Sequence, residues 1–170
     1  MRPLKSKHQQ AGFTIIELII SVAIVAVLGS IALAQMRDYS RRAKISELVM
    51  AVGTCKNTVT EGYLSRDNAP EPGRWGCESA TPSSRYAGPI QTSADGAIRV
   101  AIDNLDGLVN GRYVYLVPVL GGGTPMSTNV HLGQPVRQWA CGSDWQPVLN
   151  ALPSNCRTDT TAIAAGSDFE

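Results

Sequence analysis

Few residues in this chain have the types and spacing to do chemistry. One carboxylate, Glu17, stands in an otherwise uncharged stretch from Gly12 to Ala34, G-F-T-I-I-E-L-I-I-S-V-A-I-V-A-V-L-G-S-I-A-L-A. Four cysteines, Cys55, Cys77, Cys141 and Cys156, make an even count with no C-x-x-C pair, and the histidines are His8 and His131. A zinc site needs four closely spaced nitrogen or sulfur ligands, so no metal is expected. Nor do the residues assemble a nucleophile, a base and an orienting group. Asp103 and Asp106 fall in a turn and read as solvated. Gly121-Gly122-Gly123-Thr124-Pro125 lacks the lysine and following helix of a phosphate loop. No cofactor motif occurs, and an enzyme is not expected. What remains is charge pairing at Glu17 and oxidation of the cysteines.

The totals set the frame for both. The chain has 170 residues, is 44% hydrophobic and 17% charged, and carries a net charge of +1. That balance excludes bulk nucleic-acid binding and a strongly acidic partner as the main business of the molecule. From Leu18 to Met36 no residue is charged, about the length that spans the hydrocarbon of a bilayer as a helix. A membrane segment plus one small domain of roughly a hundred residues is the expected organisation. An acid inside an apolar span costs about 2.5–3.5 kcal/mol on insertion scales and asks for a reason.

The leader, Met1 to Gly12, is short and polar, with Arg2, Lys5 and Lys7. A secretory signal has its small-residue cleavage site after the apolar region. Here the small pair, Ala11-Gly12, precedes it. A cut after Gly12 leaves the apolar helix on the mature chain, makes Phe13 the new N-terminus and Glu17 its fifth residue. Basic residues crowd both flanks, since Arg37, Arg41, Arg42 and Lys44 follow the span. The positive-inside count therefore does not decide orientation. The four cysteines lie beyond the span and place that part in an oxidising compartment.

In this combination, G-F-T-I-I-E-L-I-I-S-V-A-I resembles the type III signal and first helix of a type IV pilin. The resemblance implies that prepilin peptidase cleaves between Gly12 and Phe13 and N-methylates Phe13. It implies that subunits stack these helices into a filament core, with Glu17 pairing with the Phe13 amino group of a neighbouring subunit. Two residues depart from the family pattern. Ala34 stands where many type IV pilins have the proline of I-A-L-P, and Ala26 stands where a glycine is common.

The helix is expected to continue past Ala34, because no proline occurs between Pro3 and Pro70. Ile45, Leu48, Val49, Val52, Val59 and Tyr63 recur at helical spacing, with Arg41, Arg42, Lys44 and Glu47 filling much of the other face. The expected divisions are a leader over 1–12, a transmembrane or filament-core helix over 13–36, an amphipathic half over 37–64 and a head over 65–170. Gly29 and Gly53 are the weak points of the helix. Residues 65–96 read as a long Pro/Gly/Ser-rich connection, with Trp75 as packing. Ala97–Ile102, Arg112–Val119 and Val136–Ala140 read as strands, placing the sheet at about 97–141. Asp106-Gly107 and Asn110-Gly111 both mark turns, and either can close the hairpin.

The ending W-A-C … L-P-S-N-C-R resembles the C-terminal disulfide loop of type IVa pilins, which implies a loop over 141–156. Four cysteines allow three pairings. Cys55–Cys77 with Cys141–Cys156 keeps both loops local and is favoured. The tail, 157–170, reads as a surface extension. The fold class expected is α+β: a long N-terminal helix, its hydrophobic half protruding, on a small antiparallel sheet.

The function implied by the resemblance is a structural subunit of a type IV pilus serving adhesion, twitching motility or DNA uptake. Its implied partners are other pilin subunits, prepilin peptidase, an inner-membrane assembly platform, the membrane before assembly, and a DNA or host-surface ligand. The implied localisation is the inner membrane as precursor, then an extracellular pilus. A minor pilin and a type II secretion pseudopilin share the cut site. A monomeric membrane-anchored binding protein is a third reading. A DNA-binding surface would rest on Arg74, Arg85, Arg99, Arg112 and Arg137, provided they form one stripe.

Overall fold

A computed structural model describes residues 12–170 of the chain. Apart from Gly12, the leader lies outside the described residues. The chain divides into two compact units, the first ending at Asp38 and the second running from Tyr39 to Glu170.

One helix, α1, runs from Ile15 to Ser65, 51 residues. It begins at Thr14, whose carbonyl accepts from the Leu18 N–H at 3.2 Å. Without an internal proline nothing removes a backbone donor or forces a kink, and the helix passes through Gly29 and Gly53 unbroken.

In the second unit α1 presents one apolar stripe. Ile45, Leu48, Val52, Cys55, Val59 and Tyr63, at steps of three and four, are fully buried, while Val49 lies half-buried at the margin. Cys55 completes the stripe read from the periodicity. Each such side chain removed from water contributes about 1.5–3 kcal/mol. The surface they meet is a five-stranded sheet in the order β1–β2–β3–β4–β5. The strands are Ala87–Thr92, Ile98–Ile102, Tyr113–Val119, Gln138–Ser143 and Thr158–Asp159. Alternation sorts the faces. Ile98, Val100, Ile102, Val114 and Leu116 join the helix stripe in one core. Tyr115, Val117 and Val119 form a second cluster on the opposite side.

The sheet is wider than the pattern indicates. β1 lies inside the segment read as loop, because Gly88 and Pro89 hide its strand character. Pro89 is tolerated because β1 is an edge strand, and the pairing with β2 shifts register between Ala87 and Ile90. At the other edge β5 falls in the tail and pairs with β4 in parallel, not antiparallel. The intervening chain, with the short helix α3 (Gln146–Ala151), carries it back in the same direction. β4 starts at Gln138, two residues later than read, and includes Cys141.

Asn110-Gly111 closes the β2–β3 hairpin: Gly111 has φ +74° and its N–H bonds the Ile102 carbonyl at 2.9 Å. Asp106 makes an inner turn by accepting from Leu108 N–H. It is not merely solvated, since Arg41 Nε sits 2.7 Å from its Oδ2 and ties α1 to this loop. The glycine triplet is a turn, closed by Gly123 N–H on the Leu120 carbonyl.

The burial pattern predicts a contrast between neighbours on one helix. Leu48→Ala, at a fully buried position, is expected to cost about 2–5 kcal/mol in urea unfolding. Met50→Ala, at a position 78% exposed, is expected to change stability by less than about 0.5 kcal/mol.

Candidate functional site: the N-terminal segment and the stapled head

In the first unit the apolar side chains have nothing over them. Ile15, Ile16, Leu18, Ile19, Ile20, Val22, Ile24, Val25, Val27, Leu28, Ile31, Leu33 and Met36 are exposed, and so is Phe13. Exposed apolar surface on this scale marks contact with a membrane or another protein, and by length and composition this helix is able to cross a membrane. The two serine hydroxyls of this stretch are satisfied within the helix. Ser21 Oγ donates to the Glu17 carbonyl and Ser30 Oγ to the Val27 carbonyl, each at 2.7 Å. The surface is therefore equally fit for lipid and for other helices.

Glu17 opens the helix. Thr14 is the cap: its Oγ1 accepts from the Glu17 N–H at 3.3 Å and donates to Glu17 Oε2 at 3.3 Å. The spacing T-x-x-E is a capping-box signature. The spacing is a local signal, set directly against the apolar run that follows it. A carboxylate in the first turn also faces the positive end of the helix dipole. Glu17 thus has a local reason for its place while remaining exposed, with Gly12 and Phe13 exposed just before it.

In the head, Cys55 bonds Cys77 and Cys141 bonds Cys156, with Cα–Cα distances of 5.0 and 4.4 Å. The first bond fastens the loop after α1 to the buried stripe. Around it Trp75 is fully buried, stacks on Tyr63 at 5.4 Å, and donates its indole N–H to the Ser93 carbonyl at 2.8 Å. Glu78 organises the turn beside it. Its carboxylate accepts from the N–H groups of Trp75 (2.7 Å), Gly76 (2.8 Å) and Cys77 (3.0 Å), and from the Thr92 hydroxyl. Burial pushes its pKa up, but the bonds from Thr92 and the backbone outweigh this and hold it below the usual glutamate range. Nothing in the residue pattern singled out Glu78, because its partners are backbone groups.

Two family matches meet this geometry. Residues 7–33 match the prokaryotic N-terminal methylation motif, and residues 41–157 match the pilin (bacterial filament) family. The chain belongs to the type IV pilins. It is 30% identical to a fimbrial protein of Neisseria meningitidis serogroup B, over 93% of this chain and 86% of that one. It is 32% identical to the type IV major pilin protein PilE of Neisseria gonorrhoeae, over 94% of this chain and 86% of that one. It is also 30% identical to a fimbrial protein of Pseudomonas aeruginosa, over 86% of this chain and 96% of that one. Such proteins are structural subunits of an extracellular pilus, polymerising with other pilin subunits, and the methylation motif implies processing by prepilin peptidase.

The remaining residues of this pilin fit a structural part. Among the described residues no group of three or more His, Cys, Asp or Glu side chains is placed to hold a metal. His131 Nδ1 lies 3.0 Å from the Ser127 N–H of its own short helix, α2 (Thr128–His131). The five arginines each take a different neighbour. Arg74 pairs with Glu71 at 3.1 Å, Arg85 lies 5.8 Å from the Tyr86 ring and Arg112 lies 4.1 Å from the Trp145 ring. Arg99 sits between the rings of Tyr113 (4.5 Å) and Phe169 (4.4 Å), and Arg137 lines a cavity of about 420 Å3 beside Gln134 and Pro135.

Because the folded Glu78 has a depressed pKa, its contribution is complete above the pKa of the unfolded chain and disappears as pH falls through the folded value. Glu78→Gln is expected to destabilise the head at neutral pH by about 1–3 kcal/mol. The gap between variant and parent is expected to close as the carboxylate of the parent is protonated. Urea unfolding across a pH series measures both.

Proposed function

We propose that this chain is the repeating, major subunit of its pilus. It is cleaved between Gly12 and Phe13, N-methylated on Phe13, and assembled through a Glu17–Phe13 charge pair between neighbours. The observation that carries the reading is the exposed, apolar helix surface with one carboxylate, Glu17, in its first turn. Before assembly, residues 13–36 anchor the subunit in the inner membrane. In the filament they become the core, while 37–64 and the head form its outer layer. An inner-membrane platform feeds subunits in. The activities proposed for the filament are adhesion, twitching motility and DNA uptake.

The physical logic lies in the difference between the two states. Apolar side chains pack on lipid and on neighbouring helices with similar energies, so they do not favour one register. A carboxylate and an amine do. In a dry helix bundle they attract strongly, and removing one partner leaves an uncompensated charge worth about 3–5 kcal/mol. Glu17 therefore selects the register in which each subunit meets the new N-terminus of the next. The name of the gonococcal relative, type IV major pilin protein PilE, supports the major-subunit reading. The disulfide loop 141–156 favours a pilin over a secretion pseudopilin.

Mass and N-terminal sequence of the mature protein test the processing, with methylated Phe13 as the expected first residue. An uncleaved Met1 overturns the proposal. Glu17→Ala is expected to abolish sheared surface filaments while the subunit stays in the membrane fraction, and Glu17→Asp to restore them in part. Filaments at the parental level in Glu17→Ala would remove the charge pair from the account.

A further inference from the structure

The tail Thr158–Glu170 has no part in the assembly described above, yet it is not a free extension. It leaves the disulfide loop at Cys156, where Arg157 Nε donates to the Leu152 carbonyl at 2.9 Å. Thr158 and Asp159 pair with Gly142 and Ser143 of β4. Thr160 is fully buried and its N–H reaches the Ser143 carbonyl at 3.1 Å. Asp159 braces the turn into the helix that follows, α4 (Thr161–Gly166), accepting from the Thr161 N–H at 2.9 Å and hydroxyl at 2.6 Å. Ile163 and Ala164 then pack on the outer cluster of Ala97, Tyr115, Val117 and Val119.

The last residues finish the crossing. Phe169 forms a β-bridge with Ser93. Its ring lies 5.8 Å from Tyr115, and the Arg99 guanidinium lies 4.4 Å from it. Arg99 is held in turn by Tyr113 and by Gln91, 2.9 Å away. Glu170 ends against Gly73, where an added Cβ would stand 3.0 Å from the terminal residue's carbonyl oxygen. The tail thus starts on the β5 edge, crosses the outer face of the sheet and ends on the β1 edge and the loop before it.

Its polar and aromatic contacts are concentrated at the two ends, with Ile163 and Ala164 packing between them. An open cleft of about 310 Å3, lined by Arg112, Tyr113, Tyr115, Asp144, Thr161 and Ala164, lies beside α4. Phe169 is the one large apolar side chain in the last six residues and one of only two phenylalanines in the chain. We propose that the tail is a strap that couples the disulfide loop 141–156 to the loop 65–96, with Phe169 as its buckle. Each loop has its own disulfide, but the strap joins their ordering. A partner that grips either loop alters the other, and the coupling is reciprocal.

Amide hydrogen exchange on the full chain in detergent micelles tests this. The reporting amides are Gly73, Ser93 and Gly96, bonded to the carbonyls of Thr92, Ala97 and Ser93. Phe169→Ala is expected to speed their exchange about tenfold or more, and Phe169→Trp to restore it. The decisive arm perturbs the far end. Gly142→Ala places a Cβ against the Thr158 backbone, and Asp159→Ala is a milder change at the same end. Either is expected to speed exchange at Gly73 and Ser93 in the parental chain, and to add nothing in the Phe169→Ala background. Amides of the β2–β3 pair report whether the head is folded in each variant. Unchanged exchange at Gly73 and Ser93 in both far-end variants, or effects that simply add to that of Phe169→Ala, would overturn the coupling.

Discussion

The contact between the α1 stripe and the inner face of the sheet carries the head. Six fully buried positions from Ile45 to Tyr63 meet alternate residues of β2 and β3, and no other helix of comparable length is present among the described residues. The remaining helices have four to six residues each and are too short to hold themselves together. The inner face of the sheet is therefore covered mainly by one helix, with α3 and the loops closing its margins. Removing volume at the stripe takes it from the one long element in this core.

A core this thin needs staples, and they are placed where the helix cannot reach. Cys55 lies on the stripe itself, so its bond to Cys77 pulls the long loop onto the core. Trp75 and Glu78 then hold that loop by different means. One fills the space beside Tyr63 and the other satisfies three backbone donors at once. Gly62 and Gly96 belong to the same construction, since an added Cβ at either meets the Trp75 ring at 3.0 Å or less. The second bond closes the loop between β4 and β5, where only two residue pairs hold the parallel edge strand. In the chain-entropy account a loop of this size contributes roughly 3 kcal/mol, more than two pairs of an edge strand supply.

What was legible in the chain was whatever repeats or stands alone. The stripe repeats at helical spacing, β3 is a run of aromatic and β-branched residues, and Glu17 is the single charge in its stretch. These signals are local, and physical chemistry ties each to one backbone form. The misread parts depend on distant partners. β1 contains Gly88 and Pro89, which argue against a strand except at an edge, and edge position is a property of the whole sheet. The tail has one aromatic anchor, and Phe169 has meaning only once Arg99 and Tyr115 are known to lie under it. Asp106 looks like turn chemistry until Arg41, sixty-five residues earlier, is placed beside it. The cap at Thr14 was local and still went unread, because the apolar run after it dominated the pattern.

The first half of α1 raises a different question, about where a helix of this composition can yield. With alanine rather than proline at position 34, the helix runs unbroken through Ile31-Ala32-Leu33-Ala34, and every donor in that turn keeps the option of its carbonyl. A proline there would have removed one bond and strained another, at about 3 kcal/mol or more. Within this stretch the residue with the lowest intrinsic helix preference is Gly29. Gly29 lowers the local helix preference by about 1 kcal/mol relative to alanine, and an added Cβ there would touch nothing. Ser30 already donates to the Val27 carbonyl, a side-chain bond that competes with the backbone ladder and bends helices. Opening the helix breaks backbone bonds at either place, but glycine holds the helical form less strongly than alanine.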